Sequence, residues 1–215
     1  ARFVTIGGGK ERMASLLTPE FVAREGLPRD ANGQKAMVAL WHRLKSAKYT
    51  AKVAAGELPA RPGVARLVEE AAAAGWTLAV ASTSAEPSVR AVLEHTVGHE
   101  RAADFAVFAG DVVAKKKPAP DIYLLALEGL GVAAEAVVVI EDSANGLAAA
   151  LAAGLTTVVT VSTYTAGEDF AGAALVVSCL GDAPDEVARV IDDPHHLDLG
   201  AEVALADLAR LINLT

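Results

Sequence analysis

Aromatic residues make up only 5% of this 215-residue chain, and cysteine occurs once, at Cys179. A single cysteine excludes an internal disulfide and fits a reducing compartment; at an apolar position it reads as a packing residue. With so few aromatics, the 53% hydrophobic content must come from Ala, Val, Leu and Ile, so the core is aliphatic. Positive charge is scarce as well: 19 Lys and Arg against 27 Asp and Glu leave a net charge of −8. That argues against nucleic acid as a general partner, because binding a phosphate backbone needs a cationic face. Long apolar runs are missing too; Ala133–Ile140 is far too short to cross a bilayer, so no membrane partner is expected. No basic run followed by an apolar stretch opens the chain, so no targeting peptide is expected, although a mature form relieved of one would look the same.

What is present is an alternation of strand and helix patterns. Short apolar runs at Thr77–Ala81, Phe105–Ala109, Val137–Ile140, Thr156–Val161 and Val176–Val177 read as strands. Between them lie helical stretches: from Gly63 to Ala74, after Pro87, from Pro120 to Leu130, and from Ser143 to a stop at Gly154. Val137–Ile140 shows no alternation, so both its faces are expected to be buried. This order predicts a mostly parallel α/β sheet with helices on both faces. The first sixty residues carry no strand pattern. They hold two helical stretches, Lys10–Leu17 and Ala31–Ala55, separated by a loop with Pro19, Gly26 and Pro28, and Gly56–Pro62 reads as a linker. The expected organisation is a helical module at 1–57 and an α/β core at 58–215, with a last amphipathic helix near Ala201–Leu211.

Three groups of chemically capable residues fall at the carboxyl ends of predicted parallel strands, where open α/β sheets place their ligand crevice. Ser82–Thr83–Ser84 can hold a phosphate oxygen beside a helix N-terminus, or Ser84 can simply cap that helix. In Lys115–Lys116–Lys117–Pro118–Ala119–Pro120–Asp121 two prolines stiffen the backbone, so Lys117 would be presented rigidly to a phosphoryl group. Lys115 and Lys116 read as solvated loop lysines. Val137–Val138–Val139–Ile140–Glu141–Asp142–Ser143 delivers two adjacent carboxylates from an apolar strand into a helix. Such a pair needs a cation, and Mg²⁺ suits hard oxygen ligands, unless Asp142 is a plain N-cap. Asn145–Gly146 can hydrogen-bond to the same loop.

Taken in this order, the three groups resemble the haloacid dehalogenase (HAD) superfamily, whose second, third and fourth motifs are a Ser or Thr, a Lys and an acidic pair. The runs Lys117–Asp121 and Ile140–Ser143 are similar to the β-phosphoglucomutase/phosphoglycolate phosphatase subgroup. Gly7–Gly8–Gly9–Lys10–Glu11–Arg12–Met13 is similar to the cap segment of CbbY-type xylulose-1,5-bisphosphate phosphatases. The resemblance implies a Rossmannoid core with a small helical cap and Mg²⁺-dependent hydrolysis of a small phosphorylated sugar. It implies that Ser82, Thr83 and Ser84 line the phosphoryl pocket and that Lys117 stabilises its negative charge. It further implies that Asp142 ligates Mg²⁺, with Glu141 ligating it or holding its water. Gly8 and Gly9 would let the backbone approach the substrate, while Lys10 and Arg12 bind its distal phosphate; the plain alternative for these two is a surface pair at a helix start. In that family the reaction removes an inhibitor of Rubisco, which implies the chloroplast stroma in a photosynthetic eukaryote and the cytoplasm otherwise. A phosphosugar mutase and a non-catalytic sugar-phosphate sensor remain the alternatives.

One family motif has no counterpart. The resembled enzymes begin with a strand ending in Asp-x-Asp-Gly-Thr, whose first aspartate attacks phosphorus, and no Asp-x-Asp occurs in this sequence. The expectation is a monomer whose nucleophile lies upstream of Ala1, with the 215 residues inactive alone. The same absence would arise if another chain supplied the strand, or if a pseudoenzyme had lost its nucleophile.

Overall fold

The computed structural model describes residues 8–214. It opens with three helices, α1 (Gly9–Ala14), α2 (Pro19–Arg24) and α3 (Ala31–Ala54). Helix α2 falls where Pro19 suggests only a loop. Proline at the first helical position costs no hydrogen bond, and the Thr18 hydroxyl accepts from the Phe21 amide at 3.2 Å, which starts the helix. The long α3 is started the same way, by the Asp30 carboxylate accepting from Gly33 N at 2.8 Å.

The remainder alternates as the periodicity predicts. Helix α4 (Val64–Ala73) leads to β1 (Ala79–Ser82), α5 (Glu86–Ala103) and β2 (Ala106–Ala109). Next come α6 (Asp121–Leu130), β3 (Val138–Glu141), α7 (Ala144–Ala152) and β4 (Thr156–Thr160). The chain closes with β5 (Leu175–Val177), β6 (Val190–Asp192) and α8 (Leu205–Ile212). Strands β1 and β2 pair in parallel; β3, β4 and β5 form a parallel set, to which β6 adds an antiparallel edge. The exposed, three-residue β6 carries too short a pattern to be legible in the sequence. Helix α8 begins at Leu205, four residues later than expected, where the Asp207 carboxylate accepts from Ala204 N at 2.9 Å.

Alternate residues of the strands feed two aliphatic layers. Val158, Leu175 and Val177 pack with Leu67 of α4 and Leu208 and Leu211 of α8. On the opposite side Val159 and Val176 meet Leu147 of α7, while Ile122 and Tyr123 of α6 meet Ala149, Ala150 and Leu155. Val158, Val159, Leu175 and Val177 have no accessible surface. Each such side chain contributes about 2 kcal/mol by leaving water.

No ladder joins β1 to β3 among the described residues, and the two strands line one cavity along their length. Val138 packs on the first layer and Val139 on the second, so β3 meets side chains on both faces, but Ile140 is 40% exposed and departs from the expected burial. None of the described helices is long and apolar enough to cross a membrane.

One side chain ties the chain's distant parts together. The Arg66 guanidinium donates to the carbonyls of Leu180, Gly181 and Val203 at 3.0–3.3 Å and to Glu70 at 2.6 Å. Gly63, with φ +84°, makes room for this junction: a Cβ there would lie 2.5 Å from Leu180 Cβ. Arg66→Met strands these half-buried carbonyls and is expected to lower stability by about 3 kcal/mol, read as a lower urea midpoint at an unchanged m-value.

Candidate functional site

The carboxyl ends of β1 and β3 and the loop before α6 converge on the cavity between the strands, about 1190 Å³ in volume. Ser82, Thr83, Ser84, Lys117, Glu141, Asp142, Asn145, Gly8 and Arg12 all contribute to its wall. Ser82 ends β1, and its hydroxyl accepts from Ser84 N at 3.1 Å, turning the chain towards the start of α5. Ala85 occupies the N-cap of α5 and no side chain caps that helix, so Ser84 does not serve as its cap.

Lys117 leaves its loop and buries all but 15% of its side chain. Its ammonium donates to Ala81 O at 2.9 Å, to the Tyr123 hydroxyl at 3.1 Å and to Glu141 Oε1 at 2.5 Å. It thereby straddles the ends of β1 and β3. The Glu141 side chain is 9% exposed, and its Oε1 also accepts from the Tyr123 hydroxyl. Burial and the adjacent Glu141 charge push the Tyr123 phenol far above its ordinary pKa, so it remains a donor. Glu141 Oε2 accepts weakly from Asp142 N at 3.3 Å and rests against Gly146, where a Cβ would come within 2.0 Å of it. Gly146 is therefore glycine because the first turn of α7 presses against a carboxylate.

The N-cap of α7 is Ser143, whose hydroxyl accepts from Gly146 N at 3.2 Å, and Glu168 Oε2 accepts from Ala144 N at 2.7 Å. Asp142 is thus not the cap, and it lines the cavity. Enclosure by the protein and the Glu141 charge raise its pKa, while Arg61 and Lys117 oppose the rise. Arg61 carries no motif, sits in the expected linker and escapes sequence reasoning. Its guanidinium donates to Thr160 O, Val161 O and Ser178 O at 2.8–3.0 Å, securing the loop after β4 that brings Ser162, Tyr164 and Thr165 to the wall.

A magnesium ion characteristically takes one or two protein carboxylates and completes its shell with water and phosphate oxygens. Asp142 fits that role. Glu141 fits it less well, because Oε1 already serves Lys117 and Tyr123. Among the described residues no group of three or more His, Cys, Asp or Glu could hold a metal by itself.

The helical segment contributes to the cavity wall. Gly8 and Arg12 line it; Gly9 and Arg12 also line a second cavity of about 400 Å³, shared with His42, Lys45 and Ser82–Ser84. Gly7 lies outside the described residues. Burial, with Lys10 and Lys45 nearby, lowers the His42 pKa and favours the neutral imidazole. Lys10 lines neither cavity; its ammonium contacts Asp111 at 2.6 Å. Lys116, expected in solvent, is only 17% exposed and bridges Glu11 and Asp111 at 2.9 Å each. These four charges join α1 to the loop before α6.

A parallel α/β sheet with a hydroxyl, an ammonium and a carboxylate pair at one crevice is the arrangement of a phosphate-handling hydrolase. The haloacid dehalogenase-like hydrolase family matches residues 6–154, and the chain belongs to that family. It is 49% identical over 181 residues to a CBBY-like protein of Arabidopsis thaliana, covering 84% of this chain but only 56% of that relative's length. Protein CbbY of Cupriavidus necator is 41% identical over 213 residues, 98% of this chain and 79% of its own. A solved structure of mutant CbbY from Rhodobacter sphaeroides in complex with xylulose-(1,5)bisphosphate superposes with a TM-score of 0.71 at 42% identity, covering 83% of this chain and 76% of that one.

Two outcomes follow from this geometry. Gly146→Ala forces the Glu141 carboxylate to move, and a loss of about 2 kcal/mol is expected in denaturant unfolding. The Asp111 pKa sits at about 2, below its ordinary 3.8, because Lys10 and Lys116 hydrogen-bond to the carboxylate. A depressed folded-state pKa means that the contribution is complete above pH 4 and lost as pH falls towards 2. Asp111→Asn should therefore lower the melting temperature by about 2 °C at pH 7 and by much less near pH 2, with the pH 7 difference shrinking in 1 M salt.

Proposed function

We propose that the protein to which this chain belongs is a Mg²⁺-dependent phosphatase of a small sugar bisphosphate, xylulose 1,5-bisphosphate being the favoured substrate. The observation that carries this reading is the Lys117 ammonium, fixed between the ends of β1 and β3 in the cavity that Ser82 and Asp142 also line. Ser82 and Thr83 offer hydroxyls, and the turn into α5 offers amides, to the phosphoryl oxygens. Lys117 opposes the negative charge that builds up as the ester bond breaks. Asp142 would hold Mg²⁺, which when bound supplies further positive charge at the phosphoryl group. The relative holding xylulose-(1,5)bisphosphate supports the choice of sugar. Arg12, which lines both cavities, is the side chain suited to a second phosphate.

The nucleophile is the remaining requirement, and no residue of this sequence stands out for it. Among the described residues no ladder joins β1 to β3, and the cavity that both strands line suits one further parallel strand, which would carry an aspartate to the Lys117 end. The carboxylate oxygen would displace the sugar oxygen from phosphorus, and water would then release phosphate and restore the carboxylate.

Orthophosphate release from xylulose 1,5-bisphosphate by a longer form that supplies this strand tests the reading. Lys117→Ala and Asp142→Asn are each expected to lower kcat by about 10²–10³-fold. The 215-residue chain by itself is expected to show no turnover. Turnover by that chain after its mass has been verified, or full activity in both variants, would overturn the proposal.

A further inference from the structure

Tyr123 stands in an aliphatic layer with Ile122, Ala149, Ala150 and Leu155 and is only 5% exposed. Phenylalanine would fill that space equally well, so the hydroxyl calls for a reason of its own. It projects from the first turn of α6 into the one polar cluster within reach, where it accepts from Lys117 and donates to Glu141. The ammonium has three N–H groups, and Ala81 O, Tyr123 OH and Glu141 Oε1 take one each. The ring adds a second constraint, its centroid lying 4.5 Å from the same nitrogen.

We propose that Tyr123 is a positioning residue: its hydroxyl closes a triangle with Lys117 and Glu141 that fixes the ammonium. Two effects follow from hydrogen-bond chemistry. First, without the phenol the ammonium keeps only Ala81 O and Glu141 and can pivot about the line between them, whereas three acceptors define its position. Second, the phenol shares Oε1 with the ammonium. The carboxylate charge is thereby divided between two donors, and less of the ammonium's field is cancelled before a phosphoryl group meets it. The assignment deepens the phosphatase reading in its catalytic consequence and rests on that reading there; the triangle itself does not.

Tyr123→Phe keeps the ring and removes the triangle, so it separates packing from positioning. In the 215-residue chain, competitive acetylation followed by mass spectrometry compares Lys117 with the exposed Lys35. The Lys117 rate relative to Lys35 should rise about tenfold in the variant, as expected for loss of one hydrogen bond to a charged group. An unchanged ratio in a folded variant overturns the proposal. In a longer, active form the same substitution should lower kcat about tenfold with KM within about twofold of the parent. An unchanged kcat, or a raised KM with kcat intact, also overturns it, the latter because it would place the hydroxyl on the substrate. If the parent form hydrolyses no sugar phosphate, the phosphatase reading fails, and the acetylation ratio alone decides the role of Tyr123.

Discussion

A buried ammonium between two strand ends is the constraint around which the site is arranged. Lys117 belongs to a loop, yet its charge lies where β1 and β3 both terminate, and leaving it unpaired there would cost several kcal/mol. The protein meets that cost with one carbonyl, one phenol and one carboxylate. Each comes from a different element, so α6, β1 and β3 must all be in place before the lysine is satisfied. The same grouping explains Gly146, since the carboxylate that holds Lys117 occupies the space a Cβ would need.

The division of labour between the adjacent acids follows. Both acids line the cavity, but Glu141, the last residue of β3, is committed to Lys117, whereas Asp142 lies just beyond the strand, with Ser143 taking the capping duty that would otherwise absorb it. An adjacent pair of like charges can therefore serve two purposes. Arg61, held by three carbonyls beyond β4, adds positive charge near Asp142 and steadies the loop that completes the wall.

The helical segment meets the core through charge as well as packing. Lys10, Glu11, Asp111 and Lys116 form an alternating cluster, largely open to solvent apart from Lys116. Such contacts are weak individually and screened by salt. The Gly8–Arg12 stretch is carried by α1, so whatever sets the position of α1 also sets where Arg12 stands relative to Ser82–Ser84.

Much of this molecule was determined by the sequence alone. Apolar runs of strand length separated by amphipathic stretches can pack only as a covered parallel sheet, and Ser82, Lys117 and Asp142 follow three of those runs at turns, where parallel topology gathers them at one end. Short-range chemistry was legible for the same reason: spacing and backbone restriction act within a few residues. Tertiary structure decided what depends on contacts across the chain. It paired Lys116 with Glu11 and Lys10 with Asp111, tied Glu141 to Lys117, recruited Tyr123 and Arg61 and, among the described residues, left β1 and β3 without a ladder between them. A charged side chain takes its partner from whatever the fold brings within about 4 Å. That distance is set by packing between elements dozens of residues apart, and no local pattern encodes it.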